Sequence, residues 1–115
     1  TAGLTHDGRH ALVLGRSGTL FVIDMATRAV TGQLAGLVPA MPAAGTFVTP
    51  TFAEAAGLVY VTNPTQGEVL EVAIDAAGTP RLARRIRTGG TPERVVVLGV
   101  RGDTRLTAAR LTAAR

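Results

Sequence analysis

The chain of 115 residues has the length of one ordinary domain, and 46% hydrophobic against 17% charged residues exclude disorder by composition. It contains no cysteine, which excludes disulfides, thiolate metal sites and cysteine nucleophiles, and it contains no apolar run as long as a membrane span. The net charge of +4 is uneven, because residues 1–75 carry three arginines against six acids and residues 76–115 carry nine arginines against two acids.

The basic half of the chain does not favour nucleic-acid binding. Residues 76–115 contain no aromatic side chain on which a base would stack, and every basic residue of the chain is arginine. We interpret the arginine content chiefly as the composition of a GC-rich genome. A basic tail that attracts nucleic acid or acidic lipid is the alternative.

Short β-rich runs alternate with turn signals from the start of the chain. Ser17-Gly18 is typical of a tight hairpin turn between two such runs, and Asn63-Pro64 opens a second turn between two others. The runs have the period of strands and not of helices, and they cover residues 10–14, 19–23, 29–34, 58–62, 69–74 and 81–87.

The runs form an internal repeat. Gly8 and Gly57 precede equivalent strands, and Gly18 and Gly67 follow ten residues later in hairpin turns, which gives an offset of 49 residues, 57 minus 8. Inner strands are placed at 2–5, 46–52 and 94–100. Repeats of about 40–50 residues with four strands each indicate propeller blades. We therefore predict an all-β chain, a β-propeller fragment of about two four-stranded antiparallel blades plus the first strand of a third.

The repeat divides the chain into five segments. Propeller blades are predicted at 1–36 and 46–90, and an inter-blade loop at 37–45, whose prolines disfavour regular structure and which we expect near a ligand. Residues 91–100 are predicted as the first or closing strand of the next blade. Residues 101–115 are a basic tail, expected to be a short helix or a frayed strand and partly disordered.

The segment Tyr60-Val61-Thr62-Asn63 reads YVTN, the tetrapeptide that names a family of β-propeller repeats. A strand ending in Ile74-Asp75 and the Thr-Gly-Gly-Thr-Pro stretch at 88–92 match the surroundings of that motif. Residues 1–100 therefore resemble the YVTN family, whose motifs imply the propeller architecture and leave the function open.

A narrower resemblance depends on the run GTLFVID at 18–24, the Val-Tyr-Val-Thr strand at 59–62 and the run TPERVVVLGV at 91–100. These features are similar to the periplasmic zinc chaperones that serve zinc ABC transporters. The resemblance implies zinc as the bound metal, held by histidine and acidic side chains, of which only a part would lie in this chain.

His6, Asp7 and His10 form the one metal-like cluster of the sequence. Imidazole and carboxylate are ligands that suit zinc. Asp7-Gly8 predicts a turn, so the two imidazoles flank a hairpin, where they either converge on a metal ion with ligands from another blade or diverge as surface residues. Both alternatives stay open.

The other charged residues are expected to be structural. Asp24 and Asp75 recur at the same place in the repeat and are expected to cap turns by accepting backbone hydrogen bonds. Glu68 and Glu71 are expected to face solvent. The arginines of the last strand of the second blade are expected to protect an exposed sheet edge, or else to dock an acidic partner; they are Arg81, Arg84, Arg85 and Arg87.

We predict a non-enzymatic β-propeller binding module of an exported bacterial protein, periplasmic or extracellular, which holds a protein or metal ligand at the propeller rim. No catalytic constellation and no cofactor other than zinc are predicted. A lactonase-type propeller hydrolase and a structural repeat for cell-surface interactions are the alternatives. Because the chain begins at Thr1 and a ring needs at least about four blades, we expect a fragment that is unstable or self-associates.

Overall fold

The computed structural model describes residues 1–98 and the strand at 110–114, and the secondary structure of this part consists of β-strands. Within these residues there is no helix with the length and apolar character needed to cross a membrane. The strands are β1 (Ala2–Leu4), β2 (His10–Leu14), β3 (Leu20–Asp24), β4 (Val30–Leu34), β5 (Phe52–Ala55), β6 (Leu58–Asn63), β7 (Glu68–Ile74), β8 (Pro80–Arg87), β9 (Arg94–Leu98) and β10 (Arg110–Ala114).

Eight of the strands form two four-stranded antiparallel sheets, each built from strands that are consecutive in sequence. The first sheet has the order β1-β2-β3-β4, the second has the order β5-β6-β7-β8, and β9 pairs with β10. Strands that follow one another in the chain are therefore neighbours in space, as in a propeller blade. The prediction of an all-β chain with two four-stranded antiparallel blades and the start of a third is confirmed.

One strand begins later than expected, and the tail forms a strand, which is one of its two expected alternatives. The strand expected over 46–52 begins only at Phe52, because Pro50 has no backbone N–H to donate and the N–H of Thr51 donates to Thr62 Oγ1 instead of to a backbone carbonyl. In the tail, residues 110–114 form a strand paired with β9 and not a helix. The remaining tail residues, 101–109 and 115, lie outside the described residues, as do the last two positions of the run 91–100.

The main hydrophobic core lies between the two sheets. Side chains of a strand alternate between its faces, and β2 shows this alternation in its burial, with Leu12 and Leu14 buried. The core contains aliphatic residues of both sheets and of the segment that joins them; these are Leu12, Leu14, Leu20, Val22, Leu37, Val38, Val59, Val61, Leu70 and Val72. With no tryptophan in the chain, this core depends on valine and leucine.

The second sheet is covered on both faces. A second cluster of buried residues, Tyr60, Val69 and Val95, joins the opposite face of β6 and β7 to β9. Five of the six residues of β6 are therefore buried. This sheet lies between the first blade and the start of the third.

The turns and connections fall into two groups because all sheet neighbours are antiparallel. One end of the sheets, the linker end, carries the β2–β3 and β6–β7 turns together with the connections at 35–51 and 88–93. The opposite end, the turn end, carries the β1–β2, β3–β4, β5–β6 and β7–β8 turns. Antiparallel order therefore separates the inter-blade loop from the β1–β2 turn with its histidines.

The two equivalent aspartates cap turns at the turn end, as predicted. The Oδ1 atom of Asp24 accepts hydrogen bonds from the backbone N–H groups of Ala26 and Thr27, both at 2.8 Å. Asp75 Oδ1 accepts one from the N–H of Thr79 at 2.9 Å. The bond from Thr27 is the main reason that the pKa of Asp24 lies below its ordinary value.

A glycine-to-alanine pair tests the contact between the linker and the first blade. Gly18 has φ +81° and packs against the backbone of Val38, into which an added Cβ would project, whereas Gly8 has φ +71° and open space around it. Gly8→Ala is expected to lose about 1–2 kcal/mol of unfolding free energy from backbone strain. Gly18→Ala is expected to lose about 1–3 kcal/mol more of unfolding free energy, because the added Cβ would overlap the backbone of Val38, which would have to move.

The measurement is urea unfolding of both variants beside the wild type, followed by circular dichroism. Equal losses in the two variants would contradict the close approach of the linker to Gly18.

Candidate functional site

A cleft at the turn end, here called the turn cleft, separates the first two sheets. It has a volume of about 400 Å³, and both sheets contribute to its walls. Its lining residues are Thr5, His6, Asp7, Arg9 and His10 from the first sheet and Glu54, Ala56, Gly57, Ile74, Asp75 and Ala76 from the second. The structure therefore brings all three predicted metal residues to one cleft.

Hydrogen bonds fix the β1–β2 turn that carries these residues. The buried hydroxyl of Thr5 accepts a bond from the backbone N–H of His10 at 3.0 Å and donates to Asp7 Oδ1 at 2.8 Å. The same carboxylate oxygen accepts the N–H of Arg9 at 3.0 Å. The bond from Arg9, followed by that from Thr5, holds the pKa of Asp7 below its ordinary value. Asp7 is therefore a carboxylate at neutral pH.

The two histidines have different surroundings. His6 is exposed at the turn, whereas His10 is 5% exposed and lies at the joint between the sheets. A Cβ added to Gly78 of the second blade would lie 2.7 Å from His10 Nε2, and Thr31 Oγ1 donates to the carbonyl of Gly78 at 2.8 Å. His10 thus packs between the blades, and His6 faces the open cleft.

The cleft does not form a complete metal site by itself. Among residues 1–98, no three side chains of histidine, aspartate or glutamate lie close enough together to hold one metal ion. His6, Asp7 and His10 share the cleft without surrounding a common point. A zinc site at this place needs further ligands from elsewhere.

Glu54 and Asp75 add carboxylates to the turn cleft that the sequence-based cluster did not include. Glu54 Oε1 accepts the backbone N–H of Gly57 at 3.2 Å across the β5–β6 turn. The repeat offset of 49 residues places Glu54 at the position of Thr5, the residue before His6. This equivalence is the sequence signal that points to Glu54 as a residue of the cleft. The second blade thereby contributes acidic residues opposite the imidazoles of the first.

The expectation that Glu68 and Glu71 face solvent is wrong. Their side chains are 10% and 14% exposed, and each pairs with an arginine of β8: Arg85 at 2.6 Å from Glu68 and Arg84 at 3.0 Å from Glu71. Burial, and then the nearby Glu71, raises the pKa of Tyr60 to about 12. Both ion pairs join β7 to β8, the outer hairpin of the second blade.

Replacing Asp7 tests the electrostatics of the β1–β2 turn. The pKa of Asp7 in the folded protein lies below the ordinary value of 3.8. Its contribution to stability is therefore present above that value and is lost as the pH falls through the folded pKa. Asp7→Ala is expected to lower the unfolding free energy at pH 7, with a difference from the wild type that shrinks toward pH 2.

Asp7→Asn serves as the control, because the amide oxygen still accepts the bonds from Thr5 and Arg9 and should lose less. Urea unfolding at several pH values measures both variants. A loss in Asp7→Ala that is the same at pH 2 and pH 7 would show that the carboxylate charge does not stabilise the turn.

The chain is similar in structure to AztD from Citrobacter koseri. One crystal structure of AztD matches with a TM-score of 0.72 and 16% identity, over 99% of this chain and 27% of that chain. The structure of apo AztD matches with a TM-score of 0.66 and 20% identity, over 77% of this chain and 24% of that chain. The chain thus spans about a quarter of the AztD chains it matches.

These similarities show the fold. No family model matches the chain, and a search of curated proteins found no match. At this level of identity the match to AztD identifies an architecture and not an activity. The chain has the fold of a part of a β-propeller.

Proposed function

We propose that the chain is part of a non-enzymatic β-propeller binding module in an exported bacterial protein, and that the turn cleft is part of its ligand site. The observation that carries the proposal is the meeting of imidazole and carboxylate groups from two blades in one cleft. His6 and Asp7 approach it from the first blade, and Glu54 and Asp75 from the second. Ligand sites commonly lie in such clefts between structural units.

Zinc is the cargo that this chemistry fits. Zinc is bound by neutral imidazole nitrogen and carboxylate oxygen, which are the polar groups of the turn cleft. Of the two family resemblances in the sequence, the similarity to AztD supports the one to zinc-chaperone propellers and not the one to YVTN repeats. One of the AztD structures is described as apo.

His6 is the residue through which the turn cleft would contribute to a zinc site. It is exposed at the cleft, while His10 is packed against Gly78. Residues 1–98 contain no group of three histidine, aspartate or glutamate side chains that could bind one metal ion. His6 would therefore act with one carboxylate of the cleft and with ligands from other parts of the complete protein.

The proposal is tested by zinc titration of the complete protein at pH 7, with isothermal calorimetry as the readout. His6→Ala is expected to weaken zinc binding at least about tenfold, since loss of groups in a metal site costs that much or more. Arg9→Ala is the matched control, because Arg9 lines the same cleft but offers no zinc ligand. His10→Ala is avoided, since it would open the joint between the blades.

Three outcomes separate the possibilities. Weaker binding in His6→Ala alone supports zinc binding at the turn cleft. Zinc binding that is unchanged in His6→Ala places the metal ligands in other blades and removes the cleft from the proposal. If the wild type takes up no zinc, the zinc function itself is wrong.

A further inference from the structure

A second cleft, here called the linker cleft, lies at the linker end, opposite to the turn cleft. It has a volume of about 350 Å³, within the range of about 300–1,000 Å³ that is typical of small-molecule sites. Most of its lining residues are apolar and come from the inter-blade connection and the β6–β7 turn, while polar atoms make up about half of its exposed surface. The apolar residues include Met41, Pro42, Phe47, Val48, Pro50 and Pro64.

One polar side chain of this cleft has an unpaired atom. Asn63, at the end of β6, is 1% exposed and lines the cleft. Its Nδ2 donates to Gln66 Oε1 at 2.8 Å and to Glu68 Oε1 at 3.0 Å. The Oδ1 atom is buried and has no hydrogen-bond partner within the described part of the chain.

The orientation of the Asn63 amide is set by its partners. A carboxylate and an amide oxygen accept hydrogen bonds and do not donate them, so the NH₂ group must face Glu68 and Gln66. Glu68 is itself fixed by Arg85, whose Nη1 lies 2.6 Å from Glu68 Oε1. Rotating the amide would place oxygen against oxygen and would not pair Oδ1. The unpaired acceptor is therefore a consequence of the ion pair beside it.

The opposite wall of the linker cleft is held by contacts outside the sheets. Arg16, in the β2–β3 turn, donates from Nη2 to the carbonyl of Pro42 at 2.6 Å and accepts the N–H of Met41 at 2.8 Å through its own carbonyl. Its guanidinium lies 5.7 Å from the centre of the Phe47 ring. This wall belongs to no strand, so moving it would break no hydrogen bond between strands.

We propose that the linker cleft is a second binding site, which takes a compact, mainly apolar molecule that donates one hydrogen bond, from N–H or O–H, to Asn63 Oδ1. The apolar walls provide burial for the body of the molecule, and the unpaired oxygen provides the acceptor. The proposal includes a displacement of the linker wall, through which the donor group would reach the buried oxygen. The fixed amide makes the site selective, because an apolar molecule without a donor leaves the oxygen unpaired.

This site is independent of the proposed zinc function. The linker cleft has no histidine, aspartate or glutamate in its lining, and it lies at the opposite end of the sheets from His6. Loss of zinc binding therefore leaves this inference intact, and the reverse also holds.

The test uses two probes that differ in one donor group. Indole has an apolar body and one N–H donor, and 1-methylindole has the same rings without the donor. Ligand-observed NMR titration of the complete protein gives the Kd of each. Indole is expected to bind about tenfold more tightly than 1-methylindole, the difference of one hydrogen bond to a buried acceptor.

Two variants locate the binding. Phe47→Ala removes a wall of the linker cleft and is expected to weaken indole binding about tenfold or more. Arg9→Ala, at the turn end, is the control and should leave indole binding unchanged. Phe47 is outside the strands, so this variant keeps the sheets, and circular dichroism confirms that it is folded.

Several results would overturn the proposal. Equal Kd values for the two probes would show that Asn63 Oδ1 does not receive the donor. Indole binding that survives Phe47→Ala would place the probe elsewhere. Absence of indole binding at millimolar concentration would leave a bound water as the partner of Asn63.

Discussion

The packing of one aliphatic sheet face against another holds the two blades together, and the positions of both clefts depend on it. Leu12, Leu20 and Val22 of the first sheet and Val59 and Val61 of the second are fully buried. Burying such a side chain contributes about 1.5–3 kcal/mol relative to leaving it exposed. This driving force is not directional, since it scales with the apolar area removed from water. It brings the sheets together, but it does not by itself fix their spacing.

Glycines fix that spacing at the turn end. A Cβ added to Gly32 would lie 2.5 Å from Cδ of Pro80, and one added to Gly78 would lie 2.7 Å from His10 Nε2. The blades therefore meet through backbone at these points, and His10 fills the joint beside them. His6, four residues earlier, is exposed and lines the turn cleft. The two histidines of one turn therefore have different surroundings, one in the joint and one at the cleft surface.

Strand content, hairpin order and the capping role of Asp24 could be predicted from the sequence, because they depend on alternation and on turns within a few residues. Contacts between distant residues could not. The surroundings of His10 depend on Gly78, which a sequence pattern does not connect to it. Glu68 and Glu71 were expected to face solvent, but this sheet is covered on both faces, and both side chains pair with arginines of β8. A repeat offset predicts that two positions, such as Glu54 and Thr5, are structurally equivalent. It does not predict which distant residues contact them in space.

The side chains of the tetrapeptide at 60–63 are used mainly for packing and hydrogen bonding within the sheets. Val61 lies in the core between the blades, and Tyr60 lies in the cluster on the other face of the sheet. Thr62 Oγ1 accepts the backbone N–H of Thr51 at 2.8 Å and joins the inner strand to its neighbour. Each of these three side chains makes a contact within the two sheets. Such contacts are needed for the fold whatever the protein binds. The exception is Asn63. Its Nδ2 donates hydrogen bonds to Gln66 and Glu68 at the β6–β7 turn, while its Oδ1 accepts none from the described residues. The proposed ligand of the linker cleft would supply the hydrogen bond that the described residues do not give to this oxygen.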